Sequence, residues 1–143
     1  MNVLLDANVW ISAFLNPFGH PAQLRTAWLK NRFVAVVSPT LLEEIRTTLN
    51  QPRLARKYTL SGAEIEQFLE LLLVRSLVVF PTGAFKGCRD SRDNFLLEAA
   101  LLGRAEYLVS RDDDLKRDVE LIGAMEQEGI RILSVQQFIR HLK

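Results

Sequence analysis

Residues 2–8 read NVLLDAN, a short and mostly apolar run followed at once by an acidic residue. An apolar run of this length is typical of a strand that is buried on both faces of a sheet. Comparable runs follow at residues 33–37, 77–80, 107–110 and 130–133, and segments of helical character separate them. Because no hairpin signal connects consecutive runs, the pattern predicts an α/β fold with a mostly parallel five-stranded sheet.

The composition is that of one ordinary globular domain, and we expect residues 1–143 to form it. Hydrophobic residues make up 48% of the chain and charged residues 24%, which excludes a disordered tail. The single cysteine, Cys88, excludes an internal disulfide and a cysteine-based zinc site. The chain has no run of about 18 apolar residues, and residues 1–6 lack the basic start of a signal peptide. We therefore expect no membrane span and a cytoplasmic location.

Charge is distributed unevenly along the chain, although the net charge is only +1. The first 60 residues carry seven basic side chains against three acidic ones. A basic excess attracts polyanions such as nucleic acids, although a solvated surface gives the same pattern. The three acids of this part, Asp6, Glu43 and Glu44, therefore stand out against their surroundings.

Acidic residues follow the predicted strands at the points where ligands bind in open α/β sheets, outside the carboxyl ends of the strands. Asp6 lies one residue past the first strand, and Asp112 lies two residues past the fourth. Asp93 opens the helix after the third strand and its loop. Glu44 lies on the helix after the second strand, nearer to its apolar stripe than Glu43 does. The sequence thus predicts that one carboxylate from each of four strand exits points into one crevice.

Four carboxylates gathered in one crevice repel one another unless a cation joins them. No set of lysines or arginines is spaced along the sequence to neutralise all four. All-oxygen ligands favour Mg²⁺ or Mn²⁺ over zinc. Such an ion can activate water and neutralise the charge of a phosphodiester.

Four motifs together resemble the PIN domain family: DAN at residues 6–8, Glu44, DSRD at residues 90–93, and SRDDDL at residues 110–115. Within that family, the chain is similar to stand-alone bacterial and archaeal PIN proteins related to the VapC toxins. The resemblance covers essentially the whole chain, so residues 1–143 are expected to be a single PIN domain. It implies a three-layer α/β/α sandwich, a metal-dependent ribonuclease, and the toxin component of a toxin–antitoxin system.

The resemblance also implies roles for individual residues and a set of partners. The acidic quartet of the family corresponds to Asp6, Glu44, Asp93 and Asp112, which would hold Mg²⁺ or Mn²⁺ and carry the catalysis. Asp114 matches a further acidic position that some members use for metal. The implied partners are an RNA substrate, a second copy of the chain in a homodimer, and a small antitoxin protein that blocks the crevice.

Polar residues beside the acids are candidates for supporting roles. Asn8 and Ser110 match family positions that support the first acids. Ser12 has two interpretations, because a helical serine bonds either a phosphate or neighbouring carboxylate or only its own backbone. Asp90 is expected mainly to cap the helix that Asp93 enters, and Glu98 of the same helix is expected to be solvated.

Two other functions fit parts of the sequence. Asp6-Ala7-Asn8 after a strand also resembles the start of a haloacid-dehalogenase-type aspartyl phosphotransferase, in which Asp6 would be the nucleophile. That chemistry usually needs a second aspartate two residues on, where this chain has Asn8. The other alternative is a non-catalytic PIN-like binding module with vestigial acids. The absence of one of the four acids would indicate such a module, but this chain has all four.

Overall fold

The computed structural model describes residues 1–113 and 115–143, and at residue 114 the backbone alone. Along the chain the elements are β1 Asn2–Leu5, α1 Ala7–Leu15, α2 His20–Leu29, β2 Val34–Val37, α3 Pro39–Leu49, α4 Pro52–Lys57, α5 Gly62–Val74, β3 Leu77–Val78, α6 Ser91–Leu102, β4 Tyr107–Val109, α7 Asp113–Arg117, α8 Val119–Gln127, β5 Arg131–Leu133 and α9 Val135–Leu142. The predicted alternation of short apolar strands with helices is confirmed.

The five strands form one sheet in the order β3-β2-β1-β4-β5, and all four pairings are parallel. β1 is the central strand, and its Val3 pairs with Ala35 of β2 on one side and with Tyr107 of β4 on the other. The chain winds from β1 outwards to β3 and then continues at β4 on the opposite side of β1. The carboxyl ends of β1 and β4 therefore flank the point where the strand order reverses, which is where open α/β sheets bind ligands.

Helices cover both faces of the sheet and complete a three-layer α/β/α sandwich, as the resemblance implied. One group of helices is held together by contacts of α1 with α2 and α3, of α2 with α9, and of α3 with α5. A second group contains α6, which packs on β1 and β2, together with α7 and α8. In the described part of the chain, none of the helices combines the length and the hydropathy of a membrane span.

The two tryptophans lie in the core. Trp10 of α1 and Trp28 of α2 are almost completely buried. Their rings meet edge to face with centroids 5.0 Å apart, a favourable arrangement for aromatic pairs. This contact fixes α1, and therefore the acidic residue at its start, against the rest of the helical layer.

Strands β2, β4 and β5 are each one residue shorter than the sequence predicts, and three further elements also differ from the prediction. α4, at Pro52–Lys57, was not predicted, because Pro52 indicated only the end of α3; the proline occupies the first turn of a new helix instead. The helix predicted over residues 112–128 is divided into α7 and α8, because the Asp118 side chain accepts a hydrogen bond from Leu121 N and caps a second helix. β3 spans only Leu77–Val78 instead of residues 77–80.

Gly103 ends α6, and close packing explains the glycine at this position. Its φ of −85° is open to any residue. A Cβ atom at this position would lie 2.5 Å from Cγ1 of Val36 in β2. Glycine is therefore required because the end of α6 approaches the sheet too closely for a side chain.

Candidate active site

Asp6 connects the central strand to the first helix and has no exposed surface. Its Oδ1 accepts a hydrogen bond from Ala7 N at 2.8 Å, so the side chain caps α1. Its Oδ2 accepts a hydrogen bond from Ser110 Oγ at 3.1 Å. The carboxylate is thus fixed by the two elements that flank the reversal of strand order.

Asn8 and Ser110 join the beginning of α1 to the end of β4. Asn8 Nδ2 donates to Ser110 Oγ at 3.3 Å, and Asn8 Oδ1 accepts from Arg111 N at 3.1 Å. Ser110 Oγ also accepts from Asp112 N at 2.9 Å. These contacts place both residues where they orient Asp6 and the backbone of Asp112.

A cleft of about 520 Å³ opens above this arrangement. Three of the four predicted acids, Glu44, Asp93 and Asp112, line it, and Asp6 lies buried beside it. Two further acids, Asp90 and Asp118, complete the acidic wall. Carboxylates from the exits of different strands therefore share one cleft. Asp114 belongs to α7, but its side chain lies outside the described residues.

The acids are not already in a ligating arrangement. In the described residues, no group of three acidic, histidine or cysteine side chains stands ready to hold a metal ion. The chemistry of the donors nevertheless fits Mg²⁺ or Mn²⁺, because they are carboxylate oxygens. An arginine lies between two of the four, Asp6 and Glu44.

Arg92 of α6 is the first site residue that the sequence analysis missed. Its Nη2 lies 2.9 Å from Asp6 Oδ1 and 3.7 Å from Glu44 Oε1. Burial lowers the pKa of Arg92, but the charges of Asp6 and Glu44 outweigh that effect and hold the pKa above its ordinary value. The sequence predicts that no set of basic residues neutralises all four acids, and Arg92 pairs with two of them, Asp6 and Glu44. Sequence spacing gives no sign of a contact between residues 86 positions apart.

Asp118 is the second missed residue, and it forms a carboxyl pair with Asp93. Burial, a hydrogen bond with Asp118 and the charge of that residue together raise the pKa of Asp93 to about 7. The same hydrogen bond lowers the pKa of Asp118. The pair therefore shares one proton at acidic pH, which is the usual result when two carboxyl groups are pressed together. The sequence feature that could have identified Asp118 is its position as the N-cap residue of α8.

Asparagine at position 93 is expected to stabilise the metal-free protein at pH 8 but not at pH 5. Between pH 3.8 and about 7 the native Asp93 holds a proton that the unfolded chain releases, so stability falls as pH rises through this window. At pH 8 the wild type contains two charged carboxylates side by side, and Asp93→Asn removes one of them. Thermal unfolding in EDTA at pH 8 should show a higher Tm for the variant. The increase should be about 2–4 °C for each kcal/mol gained in unfolding free energy.

The matched control for this comparison is Asp113→Asn, because Asp113 is exposed and paired with Lys116. It removes the same charge outside the cleft. An equal gain in Tm at both pH values, or an equal gain in both variants, would contradict the shared proton.

Glu98 differs from its predicted solvated position. The side chain is 9% exposed and accepts hydrogen bonds from Thr82 N at 2.6 Å and Gly83 N at 3.1 Å. It thus ties the loop before α6 to the middle of that helix. The helical periodicity shows only which side of α6 faces the sheet, and a loop folded back over the other side is invisible to it.

Ser12 lies apart from the acids, in a neighbouring cavity of about 330 Å³. Its Oγ accepts a hydrogen bond from Arg111 Nη1. Lys116 and His20 also line this cavity. Since Arg111 stands between Ser110 and Asp112, the cationic cavity and the acidic cleft adjoin at the end of β4.

Comparison with known proteins gives one family. The sequence profile of a family described as "PIN domain" matches residues 2–114. The uncharacterized protein MJ1680 from Methanocaldococcus jannaschii is 32% identical over 115 residues, which cover 80% of this chain and 73% of that protein. The crystal structure of VapBC2 from Rickettsia felis bound to a DNA fragment from their promoter contains a chain with a TM-score of 0.59 and 13% identity. That match covers 94% of this chain and 98% of the other, and it shows the shared fold.

Proposed function

The chain belongs to the PIN domain family, whose members are typically nucleases, and on that premise we propose that it is a metal-dependent ribonuclease. The observation that carries the proposal is the single cleft lined by Glu44, Asp93 and Asp112 with Asp6 fixed beside it. In this proposal residues 1–143 act as one domain in the cytoplasm, and these four acids, with Asp114, hold Mg²⁺ or Mn²⁺.

In this proposal the acidic cleft holds the metal ion, and the adjoining cationic cavity attracts the RNA backbone. A bound divalent ion supplies water activation and charge neutralisation at a phosphodiester. Asn8 and Ser110 keep Asp6 and the Asp112 backbone in register through the hydrogen bonds between α1 and β4. Arg111 and Lys116 face the adjoining cavity, where positive charge attracts the RNA backbone next to the bond that is cut.

A toxin role with a protein antitoxin is the finer part of the proposal. The structurally similar chain from Rickettsia felis comes from a VapBC2 complex, and its fold is shared over nearly the full length of both chains. An antitoxin would block the acidic cleft, and a second copy of the chain would complete a homodimer. Both partners follow from the family and await direct measurement.

The aspartyl phosphotransferase alternative is disfavoured by the surroundings of Asp6. That chemistry usually needs a second aspartate two residues on. The residue at that position is Asn8, whose side chain bonds Ser110 Oγ and Arg111 N beside Asp6. The non-catalytic alternative predicts no divalent cation binding and is decided by the following experiment.

The test compares substitutions of two adjacent aspartates that follow β4, Asp112 and Asp113. Wild-type protein is expected to bind Mn²⁺ in calorimetry and to cleave single-stranded RNA in a reaction that EDTA stops. Asp112→Asn should lower the cleavage rate by about a hundredfold or more, because a few kcal/mol of transition-state stabilisation corresponds to that factor. Asp113→Asn, whose exposed side chain pairs with Lys116, should retain the wild-type rate. Absence of Mn²⁺ binding at millimolar concentration would favour the non-catalytic module.

A further inference from the structure

Arg92 occupies the place of a cation among the acids of the cleft. Its guanidinium bridges the buried Asp6 at 2.9 Å and Glu44 at 3.7 Å. Asp112 is close enough to contribute to the charge that Arg92 senses. One positive group of the chain itself thus pairs with two of the four acids that are proposed to hold a metal, and its charge interacts with those of the other two.

The position of Arg92 within its own helix is unfavourable. Asp90 caps α6, so Arg92 lies in the first helical turn. The partial positive charge of a helix N-terminus favours acidic side chains there and disfavours basic ones. The acids across the cleft, and not the helix, therefore hold the guanidinium where it is.

Arg92 can leave this place without disturbing the core. Its side chain is 43% exposed at the cleft, and a single nitrogen, Nη2, makes the contacts with both acids. Asp6 would stay in position after the departure, because Ala7 N and Ser110 Oγ still bind its two oxygens.

We propose that Arg92 is a tethered counter-ion that neutralises Asp6 and Glu44 in the metal-free protein and competes with a divalent cation for them. This inference rests on the proposed metal-dependent function. Metal binding then requires that the guanidinium withdraw from Asp6, so the wild-type protein should bind a divalent cation more weakly than the acids alone would. Removal of Arg92 should therefore tighten metal binding and weaken the metal-free fold.

The test uses Mn²⁺ as the probe and compares Arg92→Gln with Arg89→Gln. Both variants lose one positive charge from the same segment, but the Arg89 side chain is 95% exposed and pairs with Glu120, away from Asp6 and Glu44. Calorimetry should give Arg92→Gln a Kd for Mn²⁺ about tenfold lower than that of the wild type, within the usual range of coupling between two ligands. Arg89→Gln should keep the wild-type Kd.

A second readout follows the metal-free protein. In EDTA, Arg92→Gln should unfold at a lower temperature than both wild type and Arg89→Gln, because it leaves the buried Asp6 without its counter-ion. Should Arg92→Gln prove too unstable for calorimetry, Arg92→Lys keeps the charge but not the planar guanidinium. Its Kd for Mn²⁺ should lie below that of the wild type, because an ammonium group competes less well for two carboxylates.

The outcomes separate this inference from the proposed function. Equal or weaker Mn²⁺ binding by Arg92→Gln, with normal binding by the wild type, overturns the competition and leaves the metal site standing. The same gain in both glutamine variants overturns it too, since that is a general charge effect. If neither wild type nor Arg92→Gln binds Mn²⁺, the proposed metal-dependent function fails, and the competition fails with it.

Discussion

Asp6→Asn is expected to lower RNA cleavage by about a hundredfold or more while the protein remains folded. Asparagine caps helices about as well as aspartate, so α1 keeps its N-terminal hydrogen bond. The charge at the buried centre of the site is lost, and with it a few kcal/mol of transition-state stabilisation. Cleavage of single-stranded RNA under single-turnover conditions measures the effect.

Glu43→Gln is the matched control, since Glu43 is an exposed carboxylate that pairs with Arg46 on the surface of α3. It should cleave RNA at the wild-type rate. Wild-type activity in purified and folded Asp6→Asn would exclude Asp6 from the active site.

The stability of Asp6→Asn is expected to differ from what the charge pattern alone predicts. Relief of repulsion among four acids would leave the fold intact or make it more stable. In the structure, however, Asp6 faces Arg92 at 2.9 Å, so the substitution removes a buried ion pair instead of a repulsion. We therefore expect a lower Tm for Asp6→Asn in EDTA, in contrast to the gain expected for Asp93→Asn at pH 8.

Trp28→Ala is expected to produce the largest loss of stability, about 3–5 kcal/mol of unfolding free energy. The ring is almost completely buried against Trp10, and its Nε1 donates to the carbonyl oxygen of Arg75 at 3.1 Å. The substitution leaves a cavity between α1 and α2 and also an unpaired carbonyl after α5. Urea denaturation followed by circular dichroism measures the change.

Trp28→Phe separates the two contributions, because it keeps an aromatic ring and removes the hydrogen-bond donor. It should lose less than half of the stability lost by the alanine variant. If Trp28→Ala unfolded at the wild-type urea concentration, the edge-to-face pair would not be what fixes α1.

The centre of the sheet could be predicted from the sequence because β1 and β4 are buried almost throughout. Residues 2–5 and 107–109 are apolar at nearly every position, and this pattern has few other interpretations. The parallel pairing followed from the helical segments between the runs. The gathering of Glu44, Asp93 and Asp112 followed in turn, since parallel strands end at one edge of the sheet.

The remaining features of the site depend on contacts that local patterns do not encode. Arg92 reaches Asp6 across 86 positions of the chain, and nothing in the segment around either residue marks the other as its partner. Asp118 was hidden inside a segment predicted as one helix, so its cap and its pairing with Asp93 were both missed. Glu98 was predicted to be solvated because only its own helix was considered, whereas a loop folded over α6 binds it.

The double role of Asp6 has an evolutionary consequence. The residue that caps the first helix also supplies charge to the proposed site, yet asparagine can do the first of these tasks. Aspartate and asparagine codons differ by one base. Under the proposed function, a single nucleotide change would therefore remove cleavage and leave the scaffold folded.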